Sequence, residues 1–134
     1  MVLKEFCNQW VGVPFRHAGR DGEGVDCWGL VIEYLKGFGI DAPDMEYTEK
    51  WARAGANHFS ERICQFPDIF EPVDRGSVGD LVFMRGVNGV VDHAGILVGN
   101  NKFIHSIRDI GVAISDLSGA YKRKLHGFYR IKHG

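Results

Sequence analysis

Apolar residues in the first part of the chain recur at the spacing of one helical face. Residues 2–11 form the first predicted helix, which ends at Gly12 and Pro14. A glycine-rich loop follows, and Asp26 then opens a second predicted helix over residues 27–38. The chain therefore begins with two helices, and the second starts directly after a flexible loop.

The apolar pattern changes to a period of two after Asp80, which is typical of strands that are buried on one face. Helices followed by strands favour an α+β domain with an antiparallel sheet. Five short strands are predicted, over residues 81–84, 93–98, 102–107, 112–115 and 128–132.

The segment between the helices and the strands, residues 41–79, looks like an insertion into a single domain that spans residues 1–134. It contains one predicted helix, with Thr48 as its N-cap, and then a loop that holds two prolines. The apolar residues assigned to this helix are Trp51, Phe59 and Ile63.

Composition excludes several classes of protein. The chain has 134 residues, of which 45% are hydrophobic, enough for one folded core. Its net charge of −1 gives no basic field for nucleic acid or an anionic membrane, and no apolar run is long enough to cross a bilayer. Residues 1–10 lack the apolar stretch of a secretory signal, so we expect synthesis in the cytoplasm without a signal peptide.

The three cysteines are widely spaced and odd in number, which argues against a disulfide scaffold or a zinc finger. Cys27 differs from the others because it stands where the loop becomes the helix. Unpaired N–H groups at a helix start stabilise an anion, so the spacing predicts a lowered thiol pKa and a nucleophilic thiolate. A buried cysteine on an amphipathic helix remains the alternative.

Two histidines, His93 and His105, lie on neighbouring predicted strands joined by residues 99–101. If these three residues form the turn, the two side chains are diagonal neighbours on one face of the sheet. A turn of even length would place them on opposite faces. Together with Cys27 they make a candidate nucleophile, base and orienting group. The same three residues have zinc-ligand chemistry but lack a fourth ligand, so neither a metal nor another cofactor is expected.

At this point the sequence resembles the NlpC-type family of cell-wall cysteine peptidases, which have a papain-like fold. The resemblance implies that Cys27 is the nucleophile, His93 the general base and His105 the residue that orients it. It also associates Asp26 with the free amino end of the substrate. The matching segments are Trp10-Val11-Gly12-Val13-Pro14-Phe15, Asp26-Cys27-Trp28-Gly29-Leu30-Val31, Gly79-Asp80-Leu81-Val82-Phe83, Asp92-His93-Ala94-Gly95-Ile96-Leu97-Val98-Gly99 and Phe103-Ile104-His105-Ser106.

Two departures from the family pattern lie beside the predicted site. Phe15 stands where the family commonly has a tyrosine, and His17 is a candidate to replace the missing hydroxyl. Trp28 stands where a small serine is usual, which predicts a remodelled substrate groove. The segment around Cys27 looks most like the stand-alone members encoded among phage tail and gene-transfer-agent genes.

The function implied by the resemblance is hydrolysis of an amide bond in peptidoglycan stem peptides, without a cofactor. We expect the protein to act at the bacterial cell wall, with other phage tail proteins as partners and as part of the virion. Three alternatives stay open: a structural tail component with little activity, an injected antibacterial amidase, and an acyl-transfer or amide-hydrolysis enzyme for another substrate.

Overall fold

The computed structural model describes residues 3–41, 67–86 and 89–132. The helix predicted from Thr48 onward lies outside these residues. The described residues form three helices: α1 (Leu3–Trp10), α2 (Cys27–Lys36) and a short α3 (Gly119–Arg123). The first two confirm the predicted helices. No helix in the described part of the chain has the length and apolar character needed to cross a membrane.

The helices accompany an antiparallel sheet of six strands in the order β3-β8-β4-β5-β6-β7. A short hairpin of β1 and β2 precedes α2 and forms a separate pair. The α+β class and the antiparallel sheet are as predicted. The strands are β1 (Arg20–Asp21), β2 (Gly24–Val25), β3 (Phe70–Val73), β4 (Leu81–Arg85), β5 (Val91–Gly99), β6 (Lys102–Ile107), β7 (Gly111–Asp116) and β8 (Leu125–Ile131).

Strand β3 corrects the predicted count of five strands. It lies within residues 41–79 and pairs with β8, from Phe70 with Ile131 to Val73 with Phe128. The strand is short and contains Pro72, which cannot donate a hydrogen bond to a neighbouring strand. Proline is tolerated at a sheet edge, where β3 lies, but it weakens the strand signal in the sequence.

The two faces of the sheet carry separate apolar clusters. On one face α1 and α2 pack against alternate residues of the central strands, including Phe83, Ala94 and Ile96. The other face carries Leu97 and Phe103, which belong to a smaller cluster. Because side chains alternate along a strand, Leu97 of β5 and both Phe103 and His105 of β6 point away from the helices.

The loop before α2 is packed closely on the helix start. A Cβ added to Gly29 would lie 2.2 Å from the main-chain oxygen of Gly19, a distance that no folded protein accommodates without movement. This contact holds the β1–β2 hairpin against the first turn of α2. Glycine at position 29 is therefore required by close approach of two backbones.

We expect Gly29→Ala to lower the free energy of unfolding by about 1–3 kcal/mol, because the added methyl group overpacks this contact. Chemical denaturation monitored by circular dichroism would measure the change. Gly22→Ala is the matched control, since a Cβ at Gly22 meets nothing within 4 Å. Equal stability of the two variants would contradict the proposed packing.

Candidate active site

Cys27 is the first residue of α2, and Asp26 caps the helix by accepting a hydrogen bond from the Gly29 N–H at 2.8 Å. The cysteine sulfur lies 4.0 Å from the main-chain oxygen of Asp92. The N–H groups of Ala94 and Trp28 also donate to this sulfur. The thiol thus contacts the backbone on both sides of His93.

The start of α2 reaches this position because β5 and β6 separate there. Their paired residues run from Gly99 with Lys102 to Ile96 with Ile104. The β5 residues that precede Ile96 are not paired with β6 in this way, and their backbone, at Asp92 and Ala94, faces the Cys27 sulfur. On the other side, the Ser106 hydroxyl of β6 donates to the main-chain oxygen of Val25 at 2.7 Å. The helix start therefore lies between two diverging strands.

The register of β5 and β6 places His93 and His105 on the same face, as the sequence predicted. The connection, however, differs from the predicted three-residue turn. Residues 100–101 form a two-residue turn, and a register shift between Leu97 and Gly99 adds the extra residue. A β-bulge of this kind restores the alternation that an even turn would otherwise reverse.

The two imidazoles are in direct contact. His93 Nε2 lies 2.7 Å from His105 Nδ1, and His105 Nε2 lies 2.8 Å from the Ser115 hydroxyl. If His93 is to receive a proton at Nδ1, its own proton must be on Nε2, where it donates to His105. His105 is then protonated on Nε2 and donates to Ser115. The chain of contacts fits one set of tautomers.

His105 is fully buried. Its ring packs against Phe103, with 4.1 Å between ring centroids, and edge-to-face against Tyr121 of α3 at 5.3 Å. Such packing holds the imidazole in one orientation. The ring can therefore fix the orientation of His93.

Both histidines are neutral in the free protein at pH 7. Burial lowers the pKa of His93 to about 4, and the positive charge of Lys124 contributes in the same direction. Burial, followed by the neighbouring His93, lowers the pKa of His105 to about 3. A neutral imidazole can accept a proton, so His93 is in the correct state for a general base.

The expected lowering of the Cys27 pKa is not borne out. Burial raises the pKa of this thiol, and the nearby carboxylates of Asp26 and Asp92 raise it further. The N–H groups of Ala94 and Trp28 act in the opposite direction but are outweighed. In the free protein Cys27 is therefore a neutral thiol at pH 7.

Of the residues predicted to contact substrate, Trp28 and Asp26 lie away from solvent. Trp28 is fully buried in the core cluster, so its indole packs the interior, contrary to the predicted place in a substrate groove. Asp26 is 4% exposed, and hydrogen bonds from the protein reach both of its oxygens. The proposed contact of Asp26 with a substrate amino group remains a prediction.

Phe15 and His17 lie upstream of the β1–β2 hairpin, and both are partly buried. Phe15 forms an isolated bridge with Val25, close to Cys27 in the chain, and the Arg108 guanidinium lies 5.8 Å from its ring centroid. His17 lies in the turn after this bridge. Their predicted roles beside the substrate carbonyl remain predictions.

Ser115 is a residue that the sequence analysis missed. It lies on β7, where Ala113 is the direct partner of His105, so Ser115 is a diagonal neighbour on the same face. Ser115 lies in the strand predicted over residues 112–115, but only the pairing of that strand with β6 shows that its side chain is next to His105. Among the described residues, no group of three potential ligands is arranged to hold a metal ion.

Comparison with known proteins identifies the family of this chain. Residues 12–130 match the model of the NlpC/P60 family. The chain belongs to the NlpC/P60 family. It is 31% identical over 119 residues to the murein DD-endopeptidase MepS/murein LD-carboxypeptidase of Escherichia coli, covering 86% of this chain and 53% of that protein. The chain thus spans about half the length of this curated relative.

Other NlpC/P60 members show similar likeness. The probable endopeptidase NlpC of E. coli is 31% identical over 126 residues, with 91% of this chain and 71% of that protein covered. A Staphylococcus aureus NLP/P60 family protein superposes with a TM-score of 0.70 at 23% identity over 98% of this chain and 40% of its own. The NlpC/P60 domain of the peptidoglycan hydrolase SagA gives 0.61 at 22% identity, with 98% and 95% covered. The two structures share the fold with this chain.

We expect Ser115→Ala to lower kcat by about 3- to 10-fold, the effect of losing one hydrogen bond to His105. The acid limb of the pH–rate profile should move as well, because the tautomer of His105 is no longer fixed. Ser115→Thr should restore both properties. Ser118→Ala is the control, since Ser118 makes no side-chain capping bond to α3. An unchanged pH profile in Ser115→Ala would contradict the role of Ser115.

Proposed function

We propose that the protein is a cysteine peptidase that hydrolyses an amide bond in peptidoglycan stem peptides. The observation that carries the proposal is the placement of the Cys27 sulfur against the backbone on both sides of His93. His93 in turn contacts His105. A thiol, a neutral imidazole and an oriented second imidazole are the parts that nucleophilic acyl transfer requires.

In the proposed first step, Cys27 Sγ attacks the carbonyl carbon of the scissile amide while its proton passes to His93 Nδ1. The raised pKa of the thiol makes this transfer part of the attack. The imidazolium that forms on His93 is stabilised by donation from Nε2 to His105. Backbone N–H groups at the start of α2 stabilise the negative charge on the carbonyl oxygen.

In the proposed second step, the carbon–nitrogen bond breaks and His93 returns the proton to the leaving amine. A thioester between Cys27 and the acyl fragment remains. Water then attacks the thioester and gives a proton to His93, which passes it to the departing sulfur. The cycle restores a neutral thiol and a neutral imidazole, and it consumes one water.

The substrate class is supported by the names of the relatives. The matching proteins include a murein DD-endopeptidase of E. coli and a probable peptidoglycan endopeptidase, LytE, of Bacillus subtilis, 32% identical over 111 residues, with 83% of this chain and 28% of LytE covered. We further propose that the protein acts at the wall as part of a phage tail. The support for this delivery route is the resemblance of the segment around Cys27 to tail-encoded members.

Digestion of purified peptidoglycan sacculi and of defined muropeptides tests the proposal. Mass spectrometry of the products should show a gain of one water at a peptide amide, while the glycan strands stay intact. Pretreatment with a thiol-alkylating reagent should stop the reaction. Cleavage that survives complete alkylation of Cys27 would contradict the cysteine mechanism, and the absence of any cleavage would favour a structural tail component.

A further inference from the structure

We propose that Arg20 occupies the Asp26 carboxylate in place of a substrate ammonium group. The site would then accept stem peptides whose amino end is blocked by an amide, as it is when the peptide is joined to the glycan strand. This inference rests on the proposed function and names the form of stem peptide that the site takes.

The carboxylate of Asp26 already has donors on both oxygens. Oδ1 accepts from the Gly29 N–H and from Arg20 Nη1, each at 2.8 Å, and Oδ2 accepts from the Ala18 N–H at 3.0 Å. The residue is also 4% exposed. A substrate ammonium group could pair with Asp26 only by displacing one of these donors, and Arg20 is the charged one.

Arg20 is held in place by more than Asp26. It belongs to β1 and pairs with Val25 of β2. Its Nη1 atom also donates to the main-chain oxygen of Gly19 at 2.8 Å. A Cβ added to Gly29 would lie 3.0 Å from this same nitrogen, so the guanidinium packs against the first turn of α2. The hairpin thus fixes the cation where it meets the carboxylate.

The charges favour this internal pair over exchange with a ligand. Guanidinium is always protonated in proteins, so Arg20 supplies a permanent positive charge beside the Asp26 carboxylate. The Arg20 side chain is 22% exposed and that of Asp26 is 6% exposed. Displacing the guanidinium would leave it partly buried and without its carboxylate, which is unfavourable. A free amino end therefore gains no ion pair from Asp26.

Two synthetic stem peptides of one sequence test this inference, one with a free amino end and one N-acetylated. We expect their kcat/KM values to agree within about threefold, because Asp26 is paired with Arg20 whichever peptide binds. A site that pairs a carboxylate with the ammonium would prefer the free peptide by about tenfold or more, and that result would overturn the inference.

Calorimetric binding of the same two peptides to Cys27→Ala separates this inference from the proposed function. Equal affinities without turnover by the wild-type protein would support the inference while the proposed reaction fails. Binding restricted to the free peptide would overturn the inference even if the wild-type protein cleaves. Binding of neither peptide would overturn both.

Variants of Arg20 provide a second test of the inference. Arg20→Ala should shift selectivity by about tenfold toward the free amino peptide, because the Arg20 guanidinium no longer competes with the ammonium for Asp26. Arg20→Lys should keep the wild-type ratio, and Arg75→Ala, a change at an exposed residue next to β3, is the control. An unchanged ratio in a folded Arg20→Ala protein, checked by thermal unfolding, would overturn the inference.

Discussion

Replacing Cys27 with alanine is expected to lower kcat/KM for muropeptide cleavage by about 10⁴-fold or more, as removal of a catalytic nucleophile does. The physical reason is that alanine has no thiol to attack the scissile carbonyl and form the thioester of the proposed mechanism. Cys27 sits at the start of α2 with its sulfur against Asp92 and Ala94, whereas Cys7, the other cysteine that the structure describes, lies in α1. Initial rates by liquid chromatography of the products would measure the loss.

The matched control is Cys7→Ser, which changes a partly buried thiol in α1 and should leave the rate unchanged. The rate of thiol alkylation as a function of pH tests the pKa of Cys27 independently. Since burial raises its pKa, alkylation of the free protein should accelerate only above the ordinary thiol value of 9.0. Cleavage retained in Cys27→Ala would remove this residue from the mechanism.

Replacing His93 with alanine is expected to lower kcat/KM by about 10³-fold or more, because the thiol then has no base and the leaving amine no acid. The loss should be larger than in most cysteine enzymes of low thiol pKa, since Cys27 is neutral at rest. His105→Asn should retain part of the activity, because an amide oxygen can still accept from His93 Nε2. Steady-state kinetics on one muropeptide would rank the three proteins.

The pH dependence of the wild-type protein follows from the same histidine. His93 is neutral above about pH 4, so kcat/KM should fall as pH drops through that value. Stability changes in the same direction. In the unfolded chain the pKa of His93 is about 6.5, so His93 stabilises the fold above that pH and loses this contribution as the pH falls toward 4.

His126→Ala, which changes a histidine outside the His93–His105 pair, is the control for His93→Ala. A His93→Ala protein as active as this control would contradict the assignment.

The prediction of the histidine pair shows how far an alternating pattern can restrict the positions of side chains. Alternation on two neighbouring strands limited His93 and His105 to the same face or to opposite faces. Which of the two arrangements forms depended on the length of the turn between the strands. The predicted register was correct, but the three-residue turn from which it was inferred was wrong. A two-residue turn with a bulge near Leu97 gives the same alternation as the expected three-residue turn. Different backbone solutions can therefore satisfy one side-chain pattern.

Two predictions that failed share a dependence on burial. The helix start at Cys27 is correctly placed, but its effect on the thiol pKa was judged without the cost of desolvation. Trp28 was expected to remodel the substrate groove because it stands where the family has a small serine, whereas the helix turns its indole into the core. Strand β3 was missed for a different reason, since Pro72 weakens the strand pattern in the sequence.

Two helices followed by antiparallel strands, and the place of Cys27 at a helix start, were determined by the sequence alone, since both depend on local periodicity and capping. The sequence restricted His93 and His105 to one face or to opposite faces, and the bulge in β5 decided between the two. Tertiary structure alone decided that β5 and β6 diverge to receive the start of α2, that Ser115 meets His105, and that Arg20 reaches Asp26. These contacts depend on how the elements pack together, which no local pattern in the sequence predicts. The charge state of the thiol belongs with them, because water exclusion is a property of the packed molecule.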